Sequence, residues 1–284
     1  MEGVKIQFYG DESEDKAEKV HAIGGFIGFA DEWDKVHTEL IARVKPTGIS
    51  AYHMTDCECG WREFAKWKKP DRDQLTVELI EIICRHDIFL IGTGVLLDDY
   101  NTLPAVNEEA GLLGHDKWHM AFQAVLQQAA IRVDKKAPPD LAIDFFFDWQ
   151  TKQGAARNIF EFTKNDTRLQ SWRTRLGSLT FGHKEFDKEE SVPVLQIADI
   201  AAVEIRKAIG NPITHPHLKE RRSLARLKEA RKVWSIQYLD KPVLDVLYEL
   251  KRAELGLPNN AAEAEQRLTQ LRLAKKILNA PTSH

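Results

Sequence analysis

The order of strand-like and helix-like segments is the feature that most limits what this chain can fold into. Short segments rich in β-branched and aromatic residues predict five strands, at residues 4–9, 21–29, 88–97, 141–147 and 178–181. Helical periodicity follows each of the last three, at residues 116–133, 154–163 and 194–209. Counting residues 31–86 as an insertion, the order is β, β, insertion, β, α, β, α, β, α. This alternation predicts an α/β fold with a mixed sheet.

The insertion after the second strand is predicted to combine helices and a loop. Helical spacing covers residues 31–44 and 73–85, and a stretch rich in Gly, Pro, Cys and aromatic residues lies between them. After residue 210 the sequence predicts further helices, including residues 243–254 and 261–278. We therefore expect a domain at residues 1–210, with an insertion at about 31–86, and a helical C-terminal extension at residues 211–284.

Composition narrows the class of protein. The chain has 284 residues with 43% hydrophobic side chains, enough to bury a sizeable core, and its net charge of −3 excludes a globally basic, histone-like nucleic-acid binder. A local basic patch is not excluded. The longest apolar stretches are far shorter than the roughly 20 residues of a membrane helix. Three cysteines are too few for a disulfide framework, so we expect a cytoplasmic protein that makes no membrane contact.

Four carboxylates stand where a strand or helix would bring them to one site. Asp11 and Glu12 follow the first predicted strand, at the start of an acidic turn over residues 10–16, and Asp148 follows the apolar strand IDFFF. Asp199 lies inside the apolar helix LQIADIAAV, where a buried carboxylate needs a partner. Acids at strand ends on one sheet edge, with another acid on a covering helix, favour a two-metal carboxylate site.

Each acid also has a simpler interpretation. Asp11 is an ordinary turn residue on this view, and Asp148 is the N-cap of the following helix. Asp199 would form an ion pair with an arginine such as Arg206 or Arg157. The four positions together favour the metal site over three separate structural roles.

Four strings in order resemble the domain of unknown function 3800 family, a family of predicted ribonuclease-H-like proteins. They are FYGDES at 8–13, YHMTDCECGWREFAKW at 52–67, FFFDWQ at 145–150 and ESVPVLQIADIAA at 190–202. The resemblance covers roughly residues 4–209. It implies a ribonuclease-H-like three-layer fold, the architecture shared by ribonuclease H, Holliday-junction resolvases and transposases.

In such folds, acids on the first strand, the fourth strand and the last helix bind two Mg²⁺ or Mn²⁺ ions. The resemblance assigns these roles to Asp11, Asp148 and Asp199, with Glu12 as a fourth candidate. One departure concerns the first long helix, where ribonuclease H supplies an acid and this chain offers only Asp116. Either Glu12 replaces that acid or the site is incomplete.

Several neighbours are predicted to support the acids. Ser13 and Gln196 are placed to hydrogen-bond a ligating carboxylate, although Gln196 equally suits helix packing. The resembled family has a His and an Asp matching His53 and Asp56, so His53 is expected to contact the scissile phosphate or act as a base. A role of this loop in stability is an alternative. The spacing of His53, Cys57 and Cys59 also suggests zinc, but a structural site needs four ligands, which favours ordinary thiols.

The segment 217–233 has the strongest charge segregation, with seven Lys or Arg and two Glu. It is either a solvated helix face or a contact to phosphate through residues such as Arg221 and Arg222, with Lys184 and Lys188 extending the surface. Trp149, Trp172 and Trp234 could stack on bases, but aromatic residues beside strands usually belong to a core, and we expect this for Trp149.

The leading hypothesis is a metal-dependent nuclease that hydrolyses phosphodiester bonds of DNA or RNA. Its rival is a non-catalytic protein that keeps the fold and binds nucleic acid or a protein partner. A hydrolase for a small phosphorylated molecule is a third possibility, which a narrow closed pocket would indicate. The sequence leaves the oligomeric state open, with a homodimer as one option.

Overall fold

The computed structural model describes residues 4–254, except 16, 18, 104–116, 136, 139–140, 150–151 and 166–170, together with residue 266. Six strands form one mixed sheet: β1 (Ile6–Asp15), β2 (Val20–Phe29), β3 (Ile88–Leu96), β4 (Ile143–Asp148), β5 (Leu176–Gly182) and β6 (Val233–Leu239). The predicted α/β class with a mixed sheet is therefore confirmed.

Helices connect most of the strands. Between β2 and β3 lie α1 (Ala30–Val44), α2 (Met54–Cys59) and α3 (Lys69–Arg85), so a helical insertion follows the second strand as predicted. The later helices are α4 (Leu97–Asn101), α5 (Lys117–Asp134), α6 (Gln153–Asn165), α7 (Leu195–Thr214), α8 (Arg222–Glu229) and α9 (Lys241–Glu254). Within the described residues, every helix is too short or too polar to cross a lipid bilayer.

The strand order across the sheet is β5-β4-β1-β2-β3-β6. β1, β2 and β3 are antiparallel neighbours, whereas β4 runs parallel to β1, and β5 runs parallel to β4. β6 lies parallel to β3 at the far edge. The carboxyl ends of β1, β4 and β5 therefore meet at one end of the sheet, where parallel strands can bring side chains together.

Both faces of the sheet are covered, because successive strand residues enter different cores. Tyr9 packs with α1, α3 and α7 on one face, and its neighbour Phe8 packs with α5 and α6 on the other. β2 alternates in the same way at Ala22 and Ile23. This period of two is the expected pattern for a strand buried on both faces.

Two glycines let α7 approach the sheet closely. A Cβ atom added at Gly24 or Gly92 would lie only 2.1 Å from Cδ1 of Ile205. A larger residue at either position would require the Ile205 side chain of α7 to move, and at Gly92 it would also meet the carbonyl oxygen of Ile23 at 2.8 Å. Since α7 carries Asp199, these glycines help to set the distance between that carboxylate and the strands.

Strand β1 corrects the predicted turn at residues 10–16, because the strand continues to Asp15. The register pairs Asp11 with Gly24 and Asp15 with Val20 without interruption. The string DESED has low strand propensity, but pairing with the apolar strand β2 holds it in the ladder. Asp11 and Glu12 therefore lie within a strand.

The C-terminal segment also departs from the prediction. Helix α7 continues through Pro212 to Thr214, so the predicted boundary at residue 210 falls inside it. The extension contains strand β6 as well as helices, and Leu227 and Leu239 are buried in the two cores. The extension is therefore not purely helical. Asp116 and, apart from residue 266, the predicted helix at 261–278 lie outside the described residues.

Candidate active site

Three predicted acids meet on one face of the sheet. Asp11 on β1 and Asp148 at the end of β4 are neighbours, because these parallel strands pair Gly10 with Phe147, one residue before each acid. Helix α7 crosses this face and places Asp199 over the two strand ends. Asp11 and Asp199 are buried, and Asp148 is partly exposed.

A lysine ammonium lies at the centre of the three carboxylates. Nζ of Lys184 is 2.5 Å from Oδ2 of Asp11, 3.0 Å from Oδ2 of Asp148 and 3.3 Å from Oδ1 of Asp199. Only 5% of the lysine side chain is exposed. We call Asp11, Asp148 and Asp199 the acidic triad. The predicted surface role of Lys184 is therefore wrong, because its chain segment between β5 and α7 folds inward over the triad.

The triad carries more negative charge than one ammonium balances. Burial, opposed by Lys184 and reinforced by Asp199 and Asp148, raises the pKa of Asp11 to about 7. Burial also opposes ionisation of Asp199, but Lys184, His53 and the amide of Met54 outweigh it and lower the pKa of Asp199. Burial alone would lower the pKa of Lys184, and attraction from the three carboxylates holds it well above its usual value. The carboxylates thus favour the charged form of the ammonium, and Asp11 keeps a proton more readily than Asp199.

The loop before α2 closes over Asp199. The amide of Met54 donates to Oδ2 of Asp199 at 2.7 Å, and Nδ1 of His53 lies 3.5 Å from Oδ1 of the same carboxylate. Burial would lower the pKa of His53, but its hydrogen bond with Asp199 raises it. The structure thus brings His53 to the triad, as the sequence predicts, with its imidazole partly open to solvent.

Gln196 links this loop to Lys184. Its side chain accepts a hydrogen bond from the amide of Tyr52 at 2.9 Å and donates to the carbonyl of Lys184 at 2.9 Å. Gln196 is fully buried. It therefore fixes the backbone beside His53 and Lys184. It does not bond a triad carboxylate, which was one of the two roles that the sequence suggested for it.

Glu12 does not join the triad. It follows Asp11 on an unbroken strand, so the two side chains point to opposite faces of the sheet, and Glu12 is exposed. The prediction that Glu12 is a fourth metal ligand is therefore wrong, since its side chain lies on the opposite face of the sheet from the triad. The strand alternation would have predicted this, had the strand been extended past Gly10.

Two other predicted supporting residues have different partners. Oγ of Ser13 accepts a hydrogen bond from Nε of Arg206 at 2.9 Å, and Arg206 also lies 3.3 Å from Asp15. Arg206 is therefore not the partner of Asp199 that the simpler interpretation named. The carboxylate of Asp56 lies 3.5 Å from Arg62.

Most of the basic segment is paired within the protein. Arg221 binds Glu204 and Glu58, Arg226 binds Glu81, and Lys228 binds Glu220. The predicted phosphate contact through Arg221 is therefore corrected, since two carboxylates already hold that guanidinium. Arg222 is exposed at the start of α8.

The predicted cysteines and tryptophans differ in how deeply they are buried. Cys57 is buried beside Arg72 and Thr76, and burial raises its pKa, whereas Cys59 is exposed, which fits ordinary thiols better than zinc ligands. Trp172 is buried in the core. Trp149, which we expected in the core, is 47% exposed next to the triad.

The triad has the chemistry of a hard-cation site. Its donors are carboxylate oxygens from three separate elements, and they already surround one positive charge. With the side chains as they stand, no group of three or more Asp, Glu, His or Cys residues in the described part of the chain is arranged to hold a metal ion. The residues fit a divalent cation by charge and ligand type, with Lys184 as its competitor.

Comparison with protein-family models, curated proteins and solved structures finds no match to this chain.

Proposed function

We propose that this protein is a nuclease that hydrolyses phosphodiester bonds with a pair of divalent cations, Mg²⁺ or Mn²⁺. The observation that carries the proposal is the convergence of Asp11, Asp148 and Asp199 on one positive charge. The acids come from the first strand, the fourth strand and the helix after β5. This is the placement that the resemblance to ribonuclease-H-like proteins implies, and we propose that fold for the domain.

Each residue of the site has a proposed role that follows from its position. Asp11, Asp148 and Asp199 would hold the cations, which when bound supply activation of water and charge stabilisation at the leaving oxygen. The amide of Met54 orients Asp199, and Gln196 orients the backbone of Lys184. His53, partly exposed beside Asp199, is placed to contact a phosphate oxygen or accept a proton.

Lys184 holds the triad together while no other cation is bound. Three carboxylates at this spacing would repel one another without a positive charge between them. The ammonium therefore keeps the acids assembled, and a divalent cation at the centre must compete with it. We therefore expect a lower affinity for a divalent cation than the same three carboxylates would have without Lys184.

The test combines metal binding with cleavage. Mn²⁺ is titrated into the wild-type protein and the Asp148→Asn variant, and each is then incubated with single-stranded, double-stranded and branched nucleic acids. The matched control is Asp144→Asn, four residues earlier on β4, where the carboxylate accepts hydrogen bonds from Ser178. We expect the wild type and Asp144→Asn to bind Mn²⁺ and cut, and Asp148→Asn to do neither. Undiminished cleavage by Asp148→Asn would overturn the proposal.

One observation favours a second candidate, a non-catalytic protein that binds nucleic acid. Lys184 contacts all three acids, so the triad can serve as a purely structural cluster. This candidate predicts nucleic-acid affinity that falls steeply with salt, and no cleavage with any divalent cation. The titration described above separates the two candidates, because the second predicts that the wild type does not bind Mn²⁺.

A further inference from the structure

A stacked aromatic pair, with one exposed and one partly buried ring, lies beside the acidic triad. The indole of Trp149 and the imidazole of His183 are stacked, with ring centroids 5.1 Å apart and an interplanar angle of 17°. Trp149 is 47% exposed although it directly follows a buried sheet strand. An exposed tryptophan in this place has no role in the core.

Backbone hydrogen bonds connect this pair to the elements that carry the triad. The amide of Trp149 donates to Oδ1 of Asp148 at 3.0 Å and to the carbonyl of Gly182 at 2.8 Å. His183 directly precedes Lys184, and its amide and carbonyl both bond to the segment 190–192. Both rings therefore extend from the same ends of β4 and β5 that supply Asp148 and Lys184. A group stacked on Trp149 would be held at a fixed position relative to the triad.

We propose that Trp149 and His183 form a stacking platform for an unpaired base of single-stranded nucleic acid. This inference rests on the proposed function, because it assigns the substrate of the same site. Every base offers a flat π face to an indole, so the platform selects single strands without reading their sequence. Bases inside a duplex are stacked on each other and do not expose that face. Neither ring distinguishes DNA from RNA, so the proposal covers both.

The charges around the platform suit a base better than a phosphate at that position. The carboxylate of Glu185 lies 3.8 Å from Nδ1 of His183, and Asp148 is the neighbour of Trp149. These acids repel a phosphate group, whereas a neutral base can lie against the rings. The chain of the nucleic acid would then lead its phosphate toward the triad, where cations balance the charge.

The test measures binding separately from cleavage. Labelled oligo-dT, oligo-U and a blunt DNA duplex are titrated into the wild type, Trp149→Ala and Trp149→Phe at low salt, in EDTA and again in Mn²⁺, and a denaturing gel of each Mn²⁺ sample separates cleaved probe from bound probe. The control is Phe162→Ala, another exposed aromatic residue that lies more than two turns along α6. Urea unfolding of each variant verifies that it is folded.

We expect Trp149→Ala to bind both single strands about tenfold more weakly, which corresponds to about 1.4 kcal/mol. Trp149→Phe should keep most of the affinity, and duplex binding should change less than twofold in either variant. Oligo-dT should quench the tryptophan fluorescence of the wild type, and Trp149→Phe should lose that quenching while it still binds. A purely structural role for Trp149 would not produce this separation.

Unchanged affinity of Trp149→Ala for single strands overturns the inference, as does an equal loss for the duplex. A wild type that binds neither oligonucleotide in EDTA or Mn²⁺ also overturns it. The proposed function fails separately: Trp149-dependent binding without cleavage would leave the platform in place on a non-catalytic protein. Cleavage with unchanged binding by Trp149→Ala would leave the nuclease and remove the platform.

Discussion

Helix α7 carries two buried acids, five residues apart, whose surroundings differ in charge balance. Asp199 belongs to the acidic triad, where three carboxylates share the ammonium of Lys184. Glu204 belongs to a second cluster, in which Glu204 and Glu58 face Arg221 and Lys207. The second cluster has one cation for each carboxylate, and the first has an excess of acid.

On the proposed function, this difference in charge balance distinguishes a structural charge cluster from a metal-binding site. In the Glu204 cluster Arg221 contacts both carboxylates and Ser223 donates to Glu204 at 2.5 Å, so a further cation gains little. In the triad, burial, opposed by Lys184 and reinforced by the two neighbouring acids, raises the pKa of Asp11 to about 7. A divalent cation would relieve the excess of acid. Burial of a carboxylate alone therefore does not indicate a metal site. We expect one where buried carboxylates outnumber the cations that contact them.

The largest expected effect comes from removing the cation of each cluster. Lys184→Met and Arg221→Met each leave buried carboxylates without their main partner, and each should lower the free energy of unfolding by about 3–5 kcal/mol. Millimolar Mn²⁺ should restore much of the loss in Lys184→Met, because the emptied triad can bind it, and nothing in Arg221→Met. Urea unfolding with and without Mn²⁺ measures both.

A surface ion pair provides the control for these two variants. Lys19 and Asp98 are both more than half exposed, so Lys19→Met should change the unfolding free energy by less than about 1 kcal/mol and should not alter the response to Mn²⁺. Equal rescue of Lys184→Met and Arg221→Met by Mn²⁺ would show that charge balance does not distinguish the two clusters.

The buried residue His21 extends the comparison to a basic side chain that shares its one acidic partner with a lysine. His21 is paired with Glu14, which Lys117 shares, and burial lowers the pKa of His21 to about 4 against the attraction of Glu14. Lys117 and Lys152 add repulsion. Lys184, with three acids, stays charged, whereas His21, with a shared one, is neutral at pH 7.

Acid should therefore destabilise the fold through His21. The unfolded chain takes up a proton on this histidine as the pH falls through 6.5, but the folded chain does so only near 4. The stability that the neutral form provides is present above pH 6.5 and is lost between those values, by about 3 kcal/mol. Urea unfolding at pH 7, 5.5 and 4.5 should show this loss as the difference in pH slope between the wild type and His21→Gln, because Asp11, whose pKa is raised to about 7, gives both proteins the same opposite slope. A variant His21→Gln with the same pH slope would contradict the assignment.

The stabilisation of the wild type by metal is the next expected effect. At a Mn²⁺ concentration one hundred times its dissociation constant, ligand binding should add about 2.7 kcal/mol to the free energy of unfolding. Glu204→Gln should be less stable than the wild type but gain as much from Mn²⁺, whereas Asp199→Asn should gain far less. A full response in Asp199→Asn would locate the metal outside the triad.

The sequence could predict the order of the first five strands and the meeting of Asp11, Asp148 and Asp199, because these follow from local periodicity and from acids that follow apolar strand residues. It missed strand β6 and placed Asp11 in a turn, although Asp11 lies within β1. It could not predict the partner of Asp199. Lys184 lies in the charged string HKEFDKEE, which is typical of a solvated loop, and contacts with residues outside this string, such as the hydrogen bond from Gln196, hold it inward. The extension of β1 past Gly10 depends likewise on pairing with β2. The composition of the string DESED alone does not indicate this pairing.

The smallest expected effect concerns Arg222, which tests whether the basic segment contacts nucleic acid at all. Arg221 is held by Glu204 and Glu58, so its exposed neighbour Arg222 is the member of the predicted pair that can reach a phosphate. Arg222→Ala should change the unfolding free energy by no more than about 0.5 kcal/mol. If Arg222 neutralises one phosphate, the variant should reduce the slope of log affinity for oligo-dT against log salt by about 0.7. An unchanged slope would leave α8 as a solvated face, and the nucleic-acid contact would then be confined to the triad and its aromatic platform.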